Sequence, residues 1–383
     1  MGASVIGLAN WGERLAVGWL VLTETDSVLA TAATMALRNA PGILVAPFAG
    51  AIADRIPRQR LLFATALAKA ALVIAIGLVA LGGISSPWSV LPLVALLGVA
   101  SSFEAPSGLA LVTDIVGPKQ AMSAISLQAT GSRAVGVLGA LGAGVIADRA
   151  GVAQALFAAA GVFALGGLIV TSLRVPARAR GKKPVSVGAE ALRGMRTMAG
   201  MPAVATLLVM AMVVEIFGFA NSAVLPAVAR DVLHVQATGY GSLTLMAGVG
   251  GFVGVLGLSL LGDHPRKGLI VLTITISFGA ALIAFGSSTS FFLSMALMAW
   301  VGAMAAAFDT MQWTLLQARV PDDMRGRAVA AWVFAIGFGW IGHLLLGAAA
   351  EGIGVQWALR ASGGMVLLTG LVAVVVFRRV RID

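Results

Sequence analysis

The chain has 383 residues, of which 59% are hydrophobic and only 11% are charged, and its mean hydropathy is +0.97. Soluble domains carry about 25% charged residues, so this composition excludes a water-soluble globule. At about 20 apolar residues per membrane-spanning helix, the chain has room for about twelve spans and for no sizeable soluble domain. Cysteine is absent, which excludes a disulfide framework, a thiolate metal site and a cysteine nucleophile.

Apolar runs interrupted by proline, glycine or charge clusters predict twelve membrane spans. In chain order they are residues 3–22, 29–53, 61–82, 88–111, 120–146, 153–172, 202–226, 238–261, 268–286, 291–314, 328–350 and 355–377. The first run contains Glu13 and Arg14 and lacks a preceding basic region. It is therefore interpreted as the first span rather than as a cleaved signal peptide.

The net charge of +10 is distributed unevenly between the predicted loops. With the N-terminus inside, nineteen basic residues lie in the inner loops and the C-terminal tail, three lie on the outer side and four lie within spans. Lys and Arg are disfavoured in loops that must cross the membrane. We therefore expect both termini to be cytoplasmic, and we interpret the charge as a signal of membrane orientation and not of nucleic-acid binding.

A hydrophilic segment at residues 174–200 separates two groups of six spans. It contains seven basic residues and a single acid, Glu190, which favours a linker lying along the anionic inner leaflet. A plain connector without further role is the alternative. The sequence thus predicts an N-terminal six-helix bundle at 1–173, a basic cytoplasmic linker at 174–200 and a C-terminal six-helix bundle at 201–383.

The two halves resemble each other at an offset of 203 residues. Ten matches occur between residues 118 and 161 and their counterparts, including Gly136 with Gly339 and Gly139 with Gly342. A parallel internal repeat of six helices is typical of secondary transporters, whose binding site lies where the halves meet. The fold class expected is therefore an all-α membrane protein of two pseudo-symmetric six-helix bundles.

Motifs for other chemistry are weak or absent. Gly337, Gly339 and Gly342 fit the G-x-G-x-x-G spacing, but no strand precedes them, so no nucleotide cofactor is expected. The glycines are better explained by close helix packing. Neither H-E-x-x-H nor G-x-S-x-G occurs and the three histidines are far apart, so we expect no enzyme, no metal and no cofactor.

The loop between spans two and three reads GAIADRIPRQR from Gly50 to Arg60. It resembles the loop signature of the major facilitator superfamily, G-x-x-x-D-R-x-G-R-R, with Pro57 in place of the usual glycine and Gln59 within the basic pair. An Arg that bridges to an acid on another helix suits a gate at the cytoplasmic face. The residues expected to form this gate are Gly50, Asp54, Arg55, Arg58 and Asp114.

Four further segments indicate which branch of the superfamily the chain resembles: WGERLAVGWLVLTETDS, FEAPSGLALVTDIVG, SRAVGVLG and LLQARVPDDMRGRA. They are similar to the drug:proton antiporter branch that includes enterobactin-exporter-like and macrolide-efflux-like proteins, although Val137 replaces the proline that usually follows the glycine in span five. The resemblance implies a proton-coupled exporter of amphipathic or hydrophobic small molecules, either drug-like or siderophore-like, that works by alternating access. It also implies a monomeric, multi-pass protein of the bacterial cytoplasmic (inner) membrane. A lipid or lysolipid translocator of the same fold, and a non-transporting receptor or scaffold, are the alternatives.

Ionisable residues inside spans cost about 2.5 kcal/mol or more each on insertion scales, so they are functional candidates. Those expected to form the substrate cavity and the proton-coupling site are Glu13, Arg14, Arg38, Glu104, Arg133, Glu215 and Asp309. Glu104 and Asp309 are repeat-related and are the first candidates for the transported proton, with Glu13 and Glu215 in reserve.

The alternative interpretation of these charges is structural: Glu13 would pair with Arg38, and Glu104 with Arg133. Lys69 in span three is expected to extend to the inner membrane surface.

The predicted orientation can be tested directly because the chain has no cysteine. A cysteine introduced at Lys183 (Lys183→Cys) is expected to react with a membrane-impermeant maleimide only in broken cells, because the linker is predicted to be cytoplasmic. The cysteine-free parent chain provides the blank. Labelling at this position in intact cells would show that the topology is inverted.

Overall fold

The fold was analysed in a computed structural model of the chain. It describes residues 2–42, 45, 49, 52, 56–83, 86–117, 120–173, 200–262, 264–321 and 324–380, without the side chains of residues 105, 122, 126, 129, 130, 133, 326 and 378–380. All regular secondary structure in these ranges is helical.

The helices of the first half follow the predicted spans. They are α1 (Gly2–Thr25), α2 (Val28–Asn39), α3 (Arg58–Leu81), a 3₁₀ turn (Pro87–Ser89), α4 (Leu91–Ser102), α5 (Glu104–Val116), α6 (Ala121–Ala150) and α7 (Val152–Thr171). The second half continues with α8 (Pro202–Phe217), α9 (Asn221–Ala227), a π turn (Val228–Val232), α10 (Ala237–Leu261), α11 (Lys267–Phe285), α12 (Phe291–Ala318), α13 (Arg325–Ile336), α14 (Gly339–Ile353) and α15 (Val355–Val380).

Each predicted span coincides with one helix or two consecutive helices, although span two is described continuously only to residue 42. Within the described residues, nine helical segments are long and apolar enough to cross a membrane. The other three predicted spans correspond to α1, α2 and α6. Helix α2 is described over only twelve residues, and α1 and α6 carry charged residues in their interiors. The all-α prediction is confirmed.

Three of the predicted spans are interrupted near mid-depth. Span four changes from α4 to α5 at Phe103, where Pro106 in the first turn of α5 has no N–H to donate back to the preceding turn. Spans seven and eleven are interrupted at Gly218 and at Gly337. Span four is predicted to be continuous, and the break instead places Glu104 in the first turn of a new helix.

The chain divides into two compact units. Unit 1 consists of Met1–Val185 and Val235–Leu245, and unit 2 of Ser186–His234 and Met246–Asp383. Residues 174–199 of the predicted linker lie outside the described residues, so the domain limits stay a prediction.

In unit 1, helix α1 packs against α2, α6 and α7, while α3 packs against α7 and α2 packs against α4. In unit 2, α11 packs against α12 and α15, and α8 packs against α13, α14 and α15. A buried apolar cluster joins the ends of α8, α12 and α13 in unit 2; it contains Val204, Leu316, Val320, Ala328 and Ala331. Each unit therefore has its own apolar interior.

The beginning of α10 belongs to unit 1 because it is bonded to the end of α6. The Asp148 carboxylate accepts hydrogen bonds from the backbone N–H groups of Ala237 (3.0 Å) and Thr238 (2.8 Å). Two otherwise unpaired donors of the first turn of α10 are satisfied in this way, and the negative charge faces the positive end of the helix dipole. Trp19 of α1 stacks on Tyr240 of α10 with ring centroids 6.4 Å apart.

Repeat-related glycines make the same kind of contact in the two units. In unit 1, a Cβ on Gly139 of α6 would collide with the carbonyl group of Leu8 on α1. In unit 2, a Cβ on Gly342 of α14 would collide with the carbonyl group of Ile216 on α8. Small residues allow helix backbones to approach closely inside a membrane, so the spacing found in the sequence corresponds to two equivalent helix crossings.

This contact generates a prediction with a control in the same helix. Gly139→Ala should destabilise the protein by about 1–3 kcal/mol, because α1 and α6 must separate to admit the methyl group. Gly142→Ala adds the same methyl group where no atom lies within 4 Å, so it should leave stability unchanged or raise it slightly through better helix propensity. Thermal unfolding in detergent measures both, and equal midpoints would contradict the close contact at Gly139.

A candidate substrate cavity and its charged cluster

A cavity of about 850 Å³ lies within unit 1. Its charged lining residues are Arg14, Arg38 and Glu104, and Asn10 lies beside them. Apolar side chains such as Leu109 form much of the remaining wall. The cavity extends from this charged end to the first residues of α1 and the last residues of α5 and α7, so a bound molecule would meet charge at one end and hydrocarbon along its length.

The helical period of α1 separates its cavity-lining residues from its buried ones. Gly7, Asn10 and Arg14 follow one another at spacings of three and four, so they share a face, and all three line the cavity. Glu13 faces another direction and its side chain is only 1% exposed. Neighbouring positions on one helix therefore have different environments.

Glu13 and Arg38 form a buried ion pair between α1 and α2. Arg38 Nη2 lies 3.3 Å and Nε 3.4 Å from Glu13 Oε2. The same guanidinium donates to the Ser101 hydroxyl at 2.5 Å and to the Leu97 carbonyl at 3.3 Å. Arg38 thus connects three helices, which is the structural pairing considered in the sequence analysis.

Glu104 pairs with Lys69 of α3. The Lys69 ammonium lies 2.6 Å from Glu104 Oε2 and 2.5 Å from Asn10 Oδ1, and the Asn10 amide donates to Glu104 Oε1 at 3.1 Å. The side chain of Arg133, the partner considered from sequence, lies outside the described residues. The Glu104 side chain remains 26% exposed, so a charged group of this network is accessible from the cavity.

The prediction that Lys69 extends to the membrane surface is wrong. Its side chain is 1% exposed and its ammonium lies 4.6 Å from the centre of the Phe163 ring. The reason is the position of Lys69 in the helix. It is eleven residues beyond Arg58, which is about 16 Å along the helix at 1.5 Å per residue. A lysine side chain at that depth is too short to reach the membrane surface. An interior carboxylate and amide satisfy its charge instead.

From the sequence, neither Asn10 nor Lys69 was included among the candidate site residues. Asn10 accepts from Lys69 and from Arg38 Nη2 (3.2 Å) and donates to Glu104, so it joins the two ion pairs into one network. The available signal was its position one helical turn before Arg14 on the same face.

At the predicted cytoplasmic gate, the structure describes two of the five residues. Arg58 contacts the Asp114 carboxylate and donates to the Ala110 carbonyl at 2.9 Å, which joins α3 to α5 within unit 1. Gly50, Asp54 and Arg55 lie outside the described residues. Opening and closing of this contact stays a prediction.

Unit 2 contributes two partly buried acids, Glu215 on α8 and Asp309 on α12. A Cβ on Gly339 would come within 2.7 Å of Glu215 Oε1, so this glycine makes room for the carboxyl group, as its repeat partner Gly136 makes room for the Trp11 indole. Glu215 forms no ion pair with a described residue, and Asp309 is close enough to interact with it electrostatically. Glu215 therefore has an acidic neighbour and no described cationic partner.

The sequence profile of the Major Facilitator Superfamily matches residues 2–342. The chain belongs to the Major Facilitator Superfamily. It is 25% identical over 393 residues to the multidrug efflux pump Tap of Mycolicibacterium fortuitum, covering 100% of this chain and 95% of Tap. It is 27% identical over 293 residues to the enterobactin exporter EntS of Shigella flexneri, covering 75% of this chain and 69% of EntS.

Solved structures share the fold. The nucleoside transporter NupG superimposes with a TM-score of 0.78 at 14% identity, covering 98% of this chain and 97% of NupG. A bacterial homolog of the human lysosomal transporter Spinster, inward-facing and unoccupied, gives 0.76 at 15% identity, covering 98% and 96%. This protein is accordingly a multi-pass bacterial membrane transporter of small molecules and not an enzyme.

The Lys69–Glu104 pair generates a stability prediction. Lys69→Met removes the cation and leaves the partly exposed Glu104 carboxylate without its ion-pair partner, which should cost roughly 3 kcal/mol. Glu104→Gln in addition removes that charge and retains an amide next to Asn10, so the double variant should be more stable than Lys69→Met alone. A double-mutant cycle of unfolding free energies measures the coupling, and strictly additive effects would show that the two groups do not interact.

Proposed function

We propose that this transporter is a proton-coupled exporter of amphipathic small molecules that works by alternating access as a monomer in the cytoplasmic membrane, with both termini cytoplasmic. The observation that carries the proposal is the cavity of unit 1, which combines a charged end with an apolar wall. The functions of the relatives, a multidrug efflux pump and an enterobactin exporter, support export rather than uptake.

Proton coupling requires an acid that can bind and release a proton during the cycle. Glu13 is poorly suited to this role because Arg38 contacts it through two nitrogens and its side chain is 1% exposed. Glu104 is better suited because it lines the cavity, where a substrate group could compete for Asn10.

Glu215 is the strongest candidate for the proton carrier. It has no cationic partner among the described residues and has Asp309 as a like-charged neighbour. A proton bound to either carboxylate removes the repulsion between the two. Its position one turn before the interruption of span seven places it where a change of helix geometry would alter access to water, as in other transporters with discontinuous helices.

The test is proton-driven accumulation in proteoliposomes. Three probes cover the charge classes: ethidium as a cation, chloramphenicol as a neutral molecule and naphthalene-2-sulfonate as an anion. An imposed proton gradient is expected to concentrate at least one probe above equilibrium and to release protons in the opposite direction. No accumulation and no counter-flow of protons with any of the three would contradict the proposal.

Four amide variants assign the proton site: Glu13→Gln, Glu104→Gln, Glu215→Gln and Asp309→Asn. Glu215→Gln is expected to abolish uphill accumulation but to retain downhill exchange of the probe, because the amide keeps the size of the side chain and cannot titrate. Glu24→Gln, at the exposed end of α1, is the matched control and should behave as the parent. If all four variants still concentrate the probe, these acids are structural and none carries the proton.

A further inference from the structure

We propose that the cavity of unit 1 recognises an anionic group of its substrate through Arg14, so that the preferred substrates are amphipathic anions. This inference rests on the proposed function, because it names the substrate class of the same cavity.

The first observation is the balance of charge in unit 1. The cavity and the network behind it contain three described cations, Arg14, Arg38 and Lys69, and two described carboxylates, Glu13 and Glu104. Arg38 pairs with Glu13, and Lys69 pairs with Glu104. After these two pairings, no described carboxylate of the network is left to pair with Arg14. A ligand carboxylate, phosphate or sulfonate would balance the charge, whereas a cationic ligand would add to the excess.

The second observation is the geometry of Arg14 itself. It lies on the cavity-lining face of α1, one turn beyond Asn10, and its Nε atom is buried without a hydrogen-bond partner among the described residues. A buried donor without a partner is unfavourable unless a ligand or water satisfies it. The guanidinium is a planar fork whose donors match two oxygens of a carboxylate or phosphate, so an oxyanion is the complementary group.

The third observation concerns the rest of the ligand. Leu109, Val112 and Ile115 of α5 line the cavity beyond the charged end, which suits an apolar body. The Gln128 side chain also lines the cavity and has a buried Oε1 atom without a described partner. The site therefore fits an oxyanion attached to a hydrophobic body, and an amide or hydroxyl donor on that body would find an acceptor in Gln128.

The experiment compares ligands that differ in charge and not in shape. Protein in phosphatidylcholine nanodiscs is titrated calorimetrically with naphthalene-2-sulfonate, with its neutral isostere naphthalene-2-sulfonamide and with 2-naphthylmethylammonium. The parent is expected to bind the sulfonate at least about tenfold more tightly than the sulfonamide, corresponding to about 1.4 kcal/mol, and to bind the ammonium ion most weakly. Arg14→Gln should reduce this ratio to about one while sulfonamide binding persists.

Two further variants separate the charge of Arg14 from its geometry and control for the loss of an arginine elsewhere. Arg14→Lys retains the charge without the fork and should give an intermediate ratio, and Arg230→Gln removes an arginine of unit 2 that pairs with Asp231 and should keep the parental ratio. A parent that shows no preference for the sulfonate, or an Arg14→Gln variant that retains it, overturns the proposal. If Arg14→Gln does not fold, the ligand series on the parent and on Arg14→Lys decides.

A separate pair of ligands distinguishes a soluble anion from a lipid headgroup. Lysophosphatidate is compared with a monoacylglycerol of the same chain length. An Arg14-dependent preference for the sulfonate but not for lysophosphatidate assigns the site to soluble anions; the same preference for both assigns it to amphipathic anions in general, anionic lipids included. These binding measurements need no gradient, so their failure leaves proton-driven transport intact, and a failure of transport leaves the binding result intact.

Discussion

The structure of unit 1 depends on one constraint: a charge in the interior of a membrane protein must meet an opposite charge or a set of hydrogen-bond partners. Glu13, Arg38, Lys69 and Glu104 come from four different spans and satisfy one another through Asn10 and short direct contacts. The positions of these spans are therefore coupled, because a displacement of any one would leave a buried charge without its partner. The cavity lies next to this network and takes its polar end from it.

The same constraint applies at the helix interruptions, where acidic residues lie. A continuous helix offers no free N–H group at mid-depth, whereas the break at Phe103 starts a new helix with Glu104 in its first turn, where a negative charge is stabilised by the helix dipole. In unit 2, Glu215 lies immediately before the break at Gly218. Each unit therefore has an acidic residue beside a helix break.

The spans were predictable from hydrophobicity and spacing because a membrane-spanning helix requires an apolar composition over about twenty residues. The glycines at 139 and 342 were also predictable, because their repeat offset reflects an equivalent helix crossing in each half. The role of Lys69 was not predictable from its own neighbourhood: its partners lie 35 and 59 residues away, and the break that positions Glu104 arises from a single proline. Pairing between helices is a property of the three-dimensional arrangement, which no local pattern encodes.

The buried network also affects how the protein enters the membrane. Spans leave the ribosome one after another, so Glu13 and Arg14 emerge before Arg38, and Lys69 emerges before Glu104. Until its partner arrives, each charge would face lipid at a cost of about 2.5–3.5 kcal/mol on insertion scales. Release of the first four spans into the bilayer as a group avoids that cost. Thus the ion pairs that join the folded helices are complete only once span four has been inserted.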